Sequence, residues 1–121
     1  PLLATGRATL DNTTDSFAQL AASKGVVTLN SSMGLQAFFH DRPVITLGRA
    51  FFALPGLVTP CSGQADVNAA FAAPQGFDAA LRDGFMSWLD AVYYPRLSET
   101  GFDQAAFAAR CDQSRRSRDN R

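Results

Sequence analysis

The sequence predicts an α/β fold with a parallel sheet, in which short buried strands alternate with helices. Two short apolar segments rich in β-branched residues, Val26–Leu29 and Val44–Leu47, have the composition of strands buried on both faces of such a sheet. A segment with helical spacing, Met33–His40, lies between them, and strands joined by a helical crossover are parallel. The 121 residues, of which 46% are hydrophobic, suit one domain of ordinary size.

A further strand and a first helix are predicted before these segments. Ala8–Leu10 ends a candidate strand, and Asp11–Thr14 consists of turn and capping residues. A helix is expected over Ser16–Ser23, where three apolar side chains share one face, and Gly25 stops it. The helix that follows the Val26–Leu29 strand should end at Asp41-Arg42-Pro43, because proline disfavours a helical residue before it.

The second half is predicted to be mostly helical after a long irregular connection, Arg49–Gly63. Helices are expected over three segments: Gln64–Ala73, Asp78–Tyr93 and Phe102–Cys111. Asp78 is the expected N-cap of the longest helix, and Pro95 is its expected stop. The apolar face of that helix is expected to enter the core and consists of Leu81, Phe85, Trp88, Leu89 and Val92.

The charge distribution separates a body from a tail. The 11 basic and 11 acidic residues cancel, but residues 110–121 hold five arginines and two aspartates, a net charge of +3. A domain over residues 1–109 without a basic patch predicts no nucleic-acid partner. Residues 110–121 are expected to form a solvated, disordered tail. Contact of this tail with phosphates or an anionic membrane is the alternative.

Cysteine and histidine usage excludes several kinds of site. Cys61 and Cys111 belong to no CxxC pair, and we expect both to be free thiols. The lone His40 gives no metal-ligand cluster, so no metal site is predicted. No apolar run approaches the length of roughly 18–20 residues that a membrane span needs, and the N-terminus lacks the apolar core of a signal peptide. A cytoplasmic protein, peripheral to a membrane at most, is therefore expected.

The segment Asn30–Gln36 carries the candidate chemistry. A predicted strand ends there and a helix begins, at the sheet edge where α/β proteins bind ligands. The N–H groups of a first helical turn attract anions, and two serine hydroxyls would add donors. Gly34 would let an anion approach the backbone, and Gln36 would reach a neutral group such as a sugar hydroxyl. Ordinary helix capping is the alternative role of these residues.

The same residues resemble a known family. The segments Val26–Ala37, Arg42–Gly48, Phe51-Phe52 and Pro55–Leu57 are similar to the bacterial capsule polysaccharide biosynthesis and export proteins. That family has the pattern Asn-Ser-Ser/Thr-x-Gly-x-Glu-Ala, then Lys/Arg-Pro-Val, then Gly and an aromatic residue. The resemblance covers about residues 6–95. Its members resemble glycosyltransferases that add Kdo, a keto-deoxyoctulosonate sugar, from its CMP donor.

The resemblance implies a GT-B architecture of two Rossmann-like domains, with the donor nucleotide held by the C-terminal one. This chain would be part of that donor domain, and the binding residues carried over are Asn30, Ser31, Ser32, Gly34 and Gln36. The CMP-sugar would be a substrate, and no cofactor is implied. Two positions depart from the family pattern: Gln36 stands for a usual Glu, and Phe52 stands for a usual Tyr.

What the sequence lacks limits the expected activity. It has no counterpart of the family's His-Pro motif, so His40 is not assigned a catalytic role and the catalytic residues are unknown. The chain starts without Met, and we expect a fragment that lacks the N-terminal acceptor domain and is inactive alone. Its expected partners are that domain, the nucleotide sugar and capsule assembly proteins at the inner membrane. A non-enzymatic interaction or homodimerisation domain is the alternative, and UDP is an alternative donor nucleotide.

Overall fold

A computed structural model of the chain describes residues 2–94, 97–98 and 101–119. The described helices are α1 (Ser16–Ala22), α2 (Met33–Gln36), α3 (Gln64–Ala72), α4 (Ala79–Trp88) and α5 (Gln104–Asp119). The described strands are β1 (Val26–Thr28), β2 (Val44–Thr46), β3 (Thr59–Pro60), β4 (Leu97–Ser98) and β5 (Gly101–Phe102). Two 3₁₀ segments, Leu2–Thr5 and Ala37–His40, and a π-helical turn, Leu89–Tyr93, complete the list. The chain divides after Arg82 into two compact units, Pro1–Arg82 and Asp83–Arg121.

The first unit contains a parallel sheet with the order β1-β2-β3. The predicted α/β class is therefore confirmed, and the unit has a partial Rossmann-like fold. The strand predicted at Ala8–Leu10 is wrong, because these residues are irregular and Leu10 is exposed. The third strand is instead Thr59–Pro60, inside the segment predicted to be irregular. Pro60 is tolerated because, in the sheet that the structure describes, β3 pairs with β2 alone.

Burial differs between the two strands that were predicted from composition. Val44 and Thr46 on the central strand β2 are both 1% exposed, as expected for a buried parallel strand. The prediction that Val26–Leu29 is buried on both faces is wrong, since Val27 is 44% exposed and Leu29 is also exposed. The difference follows from position, because β1 pairs with β2 alone and forms an edge of the described sheet.

Local hydrogen bonds set the ends of α1. The carboxylate of Asp15 accepts from the N–H groups of Phe17 and Ala18 at 3.0 and 3.1 Å, which makes Asp15 the N-cap. At the other end, the Arg42 guanidinium donates to the carbonyl oxygens of Leu20 and Ala21 at 3.3 and 2.5 Å. The arginine of the Arg-Pro-Val segment therefore stabilises the C-terminus of α1.

The helical segment Met33–His40 is confirmed, with a change of geometry inside it. Only Met33–Gln36 is α-helical, and Ala37–His40 winds more tightly as a 3₁₀ segment. Asp41 ends it in the left-handed conformation with φ 52°, and Asp tolerates that conformation better than most residues. The break predicted at Asp41-Arg42-Pro43 is thus confirmed in position.

The apolar face predicted for the longest helix is buried only in part, at Leu89, which is 2% exposed. Asp78 caps α4 as expected, with its carboxylate accepting from the N–H of Leu81 at 2.9 Å. Trp88, however, is 45% exposed and Leu81 is also exposed, whereas Arg82 is 2% exposed. The guanidinium of Arg82 stacks on the rings of Phe38 and Phe77 in the first unit. The predicted stop, Pro95, lies outside the described residues.

The second unit contains the end of α4, the π-helical turn, the β4–β5 hairpin and α5. The helix predicted over Phe102–Cys111 begins at Gln104, after Asp103, whose carboxylate accepts from the N–H of Ala106 at 2.9 Å. It continues to Asp119, into the segment 110–121 for which a solvated tail is predicted. Alanine, glutamine and arginine are strong helix formers, and they outnumber weaker ones along this segment.

Candidate functional site at the carboxyl edge of the sheet

The carboxyl edge of the sheet brings three connections together. The N–H of Leu47 donates to the carbonyl oxygen of Thr28 at 2.8 Å, and the N–H of Cys61 donates to that of Thr46 at 2.8 Å. The segments that follow β1, β2 and β3 therefore begin side by side. At Gly48 a Cβ would lie 2.8 Å from the carbonyl oxygen of Leu29, so only glycine fits between the first two connections.

Ser31 folds the turn between β1 and α2. Its N–H donates to the hydroxyl oxygen of Thr28 at 3.1 Å, and its own hydroxyl oxygen accepts from the N–H of Met33 at 3.2 Å. Its carbonyl oxygen accepts from the N–H of Gly34 at 3.0 Å. The first-turn N–H groups of Met33 and Gly34 were predicted to be open to an anion. They are satisfied within the turn, so Ser31 has the capping role that was the alternative.

Three other predicted residues present free polar groups at this edge. Asn30 and Ser32 are exposed, and Gln36 is half-buried. Hydrogen bonds to their side chains are absent among the residues that the structure describes, and Ser32 makes no side-chain cap bond. The carbonyl oxygen of Ser32 accepts from the N–H of Gln36 at 2.9 Å, which holds the two residues one helical turn apart. These amide and hydroxyl groups are available to a ligand.

Gly34 serves packing in the structure. It is buried, and a Cβ there would lie 2.9 Å from the Thr28 side chain and 3.0 Å from the ring of Phe52. The expected approach of an anion to the Gly34 backbone finds no support, because that space holds protein side chains. Phe52, which stands where the family has Tyr, is 1% exposed and packs edge-to-face on Phe38 at 6.1 Å. Gly34 and Phe52 thus contribute by close packing of α2 rather than by contact with a ligand.

One charged residue at this edge was missed by the sequence analysis. Arg49 is exposed and follows β2 by three residues, in the connection beside Asn30–Ser32. Ion pairs to Arg49 are absent in the described part of the chain. The signal that would have found it is its place after a buried strand, since ligand groups in α/β sheets come from such connections. Arg49 supplies positive charge that the predicted site lacked.

The connection after β3 carries negative charge. Asp66, in the first turn of α3, accepts from the hydroxyl and the N–H of Ser62 at 2.7 and 2.8 Å. These bonds hold the pKa of Asp66 below its ordinary value of 3.8. An anion at the N-terminus of α3 would be repelled by this carboxylate.

We expect Asp66→Ala to destabilise the first unit at neutral pH. A carboxylate whose pKa is lower in the folded state than in the unfolded chain stabilises the fold at pH values above its unfolded pKa, which is near 3.8. This stabilisation is lost as the pH falls through the pKa of the folded state. Urea unfolding of both proteins at neutral pH and at a series of pH values that extends well below 3.8 measures the difference and its loss. Asp83→Ala removes another exposed aspartate as a control. A difference that persists unchanged in acid would contradict the assignment.

His40 is not brought to this edge, and Cys61, which follows β3 there, is buried. His40 lies at the far end of the 3₁₀ segment, with its ring 6.0 Å from that of Phe17. Cys61 and Cys111 are free thiols, as predicted. Within residues 2–94, 97–98 and 101–119, no cluster of three or more His, Cys, Asp or Glu side chains is placed to hold a metal ion. None of the described helices has the length and apolar character that crossing a membrane requires.

Most of the sequence matches a protein family. The sequence pattern of the family described as "Capsule polysaccharide biosynthesis protein" matches residues 7–89, which include the whole sheet and the Asn30–Gln36 segment. The chain therefore belongs to this family, and the resemblance seen in its sequence is confirmed at that level.

Two curated relatives are similar over a shorter segment. Both are described as capsule polysaccharide modification protein LipB, from Neisseria meningitidis serogroup A and from Neisseria meningitidis serogroup B. Each is 48% identical over 33 residues, which is 27% of this chain and 8% of the relative. The similarity thus spans a small part of the relatives' length. No solved structure matches the chain.

Proposed function

We propose that the chain is part of the donor-binding region of a capsule glycosyltransferase and that its carboxyl edge binds a nucleotide sugar of the CMP-Kdo type. The observation that carries this proposal is the set of free polar side chains after β1: Asn30 and Ser32 are exposed and Gln36 half-buried. A family that makes capsule polysaccharide requires activated sugars. The acceptor side of the cleft would come from another domain or protein, so this chain alone would not catalyse transfer.

Different side chains at the edge would contact different parts of the nucleotide sugar. The Ser32 hydroxyl and the Asn30 amide would donate to the phosphate, and the exposed Arg49 guanidinium would add charge-assisted bonds. Gln36, one turn into the helix, would accept and donate hydrogen bonds at the ribose hydroxyls. Ser31 and Gly34 would act indirectly, because their groups hold the turn and its packing. The nucleotide sugar is a substrate in this scheme, and no cofactor is needed.

Ser31→Ala and Ser32→Ala are expected to change different properties: the first should lower stability, and the second should weaken CMP binding. Ser32→Ala should weaken binding of CMP about tenfold or more, because a hydrogen bond to a charged group contributes about 1.5–3 kcal/mol. It should leave stability nearly unchanged. Ser31→Ala should lower stability by about 1 kcal/mol through loss of the cap. Calorimetric titration with CMP and urea unfolding of each variant measure the two effects.

The control for this pair is Ser16→Ala, which removes an exposed hydroxyl from α1 without a hydrogen bond among the described residues. It should change neither quantity. Competition between CMP and UDP identifies the preferred nucleotide. Equal CMP binding by the unaltered chain, Ser32→Ala and Arg49→Gln would contradict the proposed phosphate contacts.

A second candidate function is a non-enzymatic interaction domain, and one surface favours it. An apolar cavity of about 240 Å³ lies on the first unit between β1, β2 and the end of α3, lined by Val27, Ile45, Phe71 and Pro74 among others. Val27 and Phe71 are exposed there, and exposed apolar patches are typical of contact surfaces. A concentration-dependent dimer that is lost in Val27→Asp, together with no response to CMP, would favour this function.

A further inference from the structure

A cavity in the second unit combines aromatic and polar side chains. Its volume is about 540 Å³, within the range of ligand-binding pockets. It is lined by residues of α4, the π-helical turn and α5: Trp88, Val92, Tyr93, Phe107, Arg110, Cys111, Gln113 and Ser117. All residues that line this cavity belong to the second unit, whereas the residues of the proposed nucleotide contacts belong to the first.

The aromatic rings of this cavity are half-exposed and held in place. Trp88, Tyr93 and Phe107 are 45%, 50% and 42% exposed. The Trp88 ring lies 5.6 Å from that of Tyr93 and stacks on Phe85 at 6.1 Å, and Phe107 lies 5.3 Å from Phe102. The face of an aromatic ring carries partial negative charge, which attracts the electropositive C–H groups of a sugar face. Fixed, exposed rings therefore suit a carbohydrate.

Arg110 supplies charge beside the rings. Its guanidinium donates to the carbonyl oxygens of Ala91, Val92 and Tyr94 at 3.3, 3.4 and 3.1 Å, which caps the π-helical turn and fixes the head group. Three bonds leave two of the five N–H groups of an arginine. A carboxylate partner for Arg110 is absent among the described residues. The free donors and uncompensated charge favour an acidic ligand.

We propose that this cavity binds a segment of an acidic glycan. Aromatic rings would stack on the sugar faces, Arg110 would bind a sugar carboxylate, and the exposed Gln113 would bond to hydroxyl groups. The chain's membership of a capsule polysaccharide family makes an acidic polysaccharide a ligand that it would meet. The mixture of rings with a charged and an amide group favours this ligand over an apolar protein surface.

The fluorescence of Trp88 tests the proposal directly, because Trp88 is the only tryptophan of the chain. The probes are a tetramer of galacturonic acid and a neutral glucose tetramer, maltotetraose. The acidic tetramer should shift the emission saturably, and the neutral one should bind at least tenfold more weakly. No saturable shift with either probe at about 10 mM, a concentration that detects millimolar affinity, would overturn the proposal.

Two pairs of variants make the test specific. Arg110→Gln should weaken binding of the acidic tetramer at least fivefold, whereas Arg116→Gln removes an equal charge from α5 outside the cavity and should leave binding unchanged. Phe107→Leu keeps an apolar side chain and should also weaken binding severalfold. Equal losses in Arg110→Gln and Arg116→Gln would mean nonspecific charge attraction and would overturn the proposal.

Two more measurements check the fold of the variants and the place where the tetramer binds. Far-UV circular dichroism shows whether each variant keeps its helices, and bound acidic tetramer should protect the half-buried Cys111 from alkylation in the unaltered chain at least fivefold. Unchanged alkylation at a saturating tetramer concentration would overturn the assignment of the cavity as the site. A shift of Trp88 emission with protein concentration alone would mean that copies of the chain cover the rings, and this also overturns the proposal.

Discussion

Gly48→Ala is expected to destabilise the first unit by about 3 kcal/mol, the upper part of the range for overpacked sites. The new Cβ would lie 2.8 Å from the carbonyl oxygen of Leu29 and 3.2 Å from its carbonyl carbon. Both are backbone atoms, so no side chain can rotate away and the connections after β1 and β2 must separate. Urea or thermal unfolding measures the loss, and CMP binding should weaken with it because Asn30 follows Leu29.

The matched control for this prediction is Gly84→Ala. Gly84 lies inside α4, and a Cβ there meets nothing within 4 Å. The same substitution should therefore stabilise the chain by about 0.5–1 kcal/mol, since alanine is the better helix former. A Gly48→Ala protein as stable as the unaltered chain would show that the two connections do not approach as closely as the structure places them.

Arg82→Ala is expected to lower the free energy of unfolding by about 3–5 kcal/mol, as does truncation of a large buried side chain. The guanidinium carbon lies 4.1 Å from the ring centroid of Phe38 and 3.4 Å from that of Phe77. Two of its nitrogens, Nε and Nη2, donate to the carbonyl oxygen of Leu57 at 3.2 and 2.9 Å. Truncation would leave a cavity between the rings and an unpaired carbonyl.

Two further substitutions separate stacking from charge. Arg82→Lys keeps the charge but loses the planar group, and a buried ammonium is poorly tolerated. Arg82→Met removes the buried cation and keeps most of the volume, so it should be the less damaging variant. The opposite order in urea unfolding would show that charge, rather than stacking, holds Arg82 in place.

The pH dependence of Arg82 follows from its burial. Burial lowers the pKa of the guanidinium to about 10, and the Asp41 carboxylate opposes this shift. The cost of the buried charge is therefore fully present below that value and is relieved only above it. The stability difference between Arg82→Met and the unaltered chain should be the same at about pH 6 and about pH 9.

Residue types alone predicted the location of the candidate site but not the role of each residue in it. A turn rich in Asn and Ser after a strand predicted anion binding, with capping as the alternative, and we propose that two neighbouring serines divide these roles. Ser31 caps the turn, whereas Ser32 presents a free hydroxyl. Both residues have the same side chain, so only the direction of each hydroxyl in the folded turn separates them. Arg49 was missed because it comes near Asn30 only when β1 pairs with β2, and the two residues are distant in sequence.

Local chemistry was enough to determine the parallel α/β class, the buried strand β2 and the cap Asp78, because these depend on side chains and backbone groups a few residues apart. Tertiary structure decided that β1 is an edge strand, that Arg82 enters the core and that Gly34 and Gly48 are sites of close packing. Each of these outcomes depends on neighbours distant in sequence. The burial of a residue depends on which side chains cover it in the folded protein, and the local sequence does not specify those side chains.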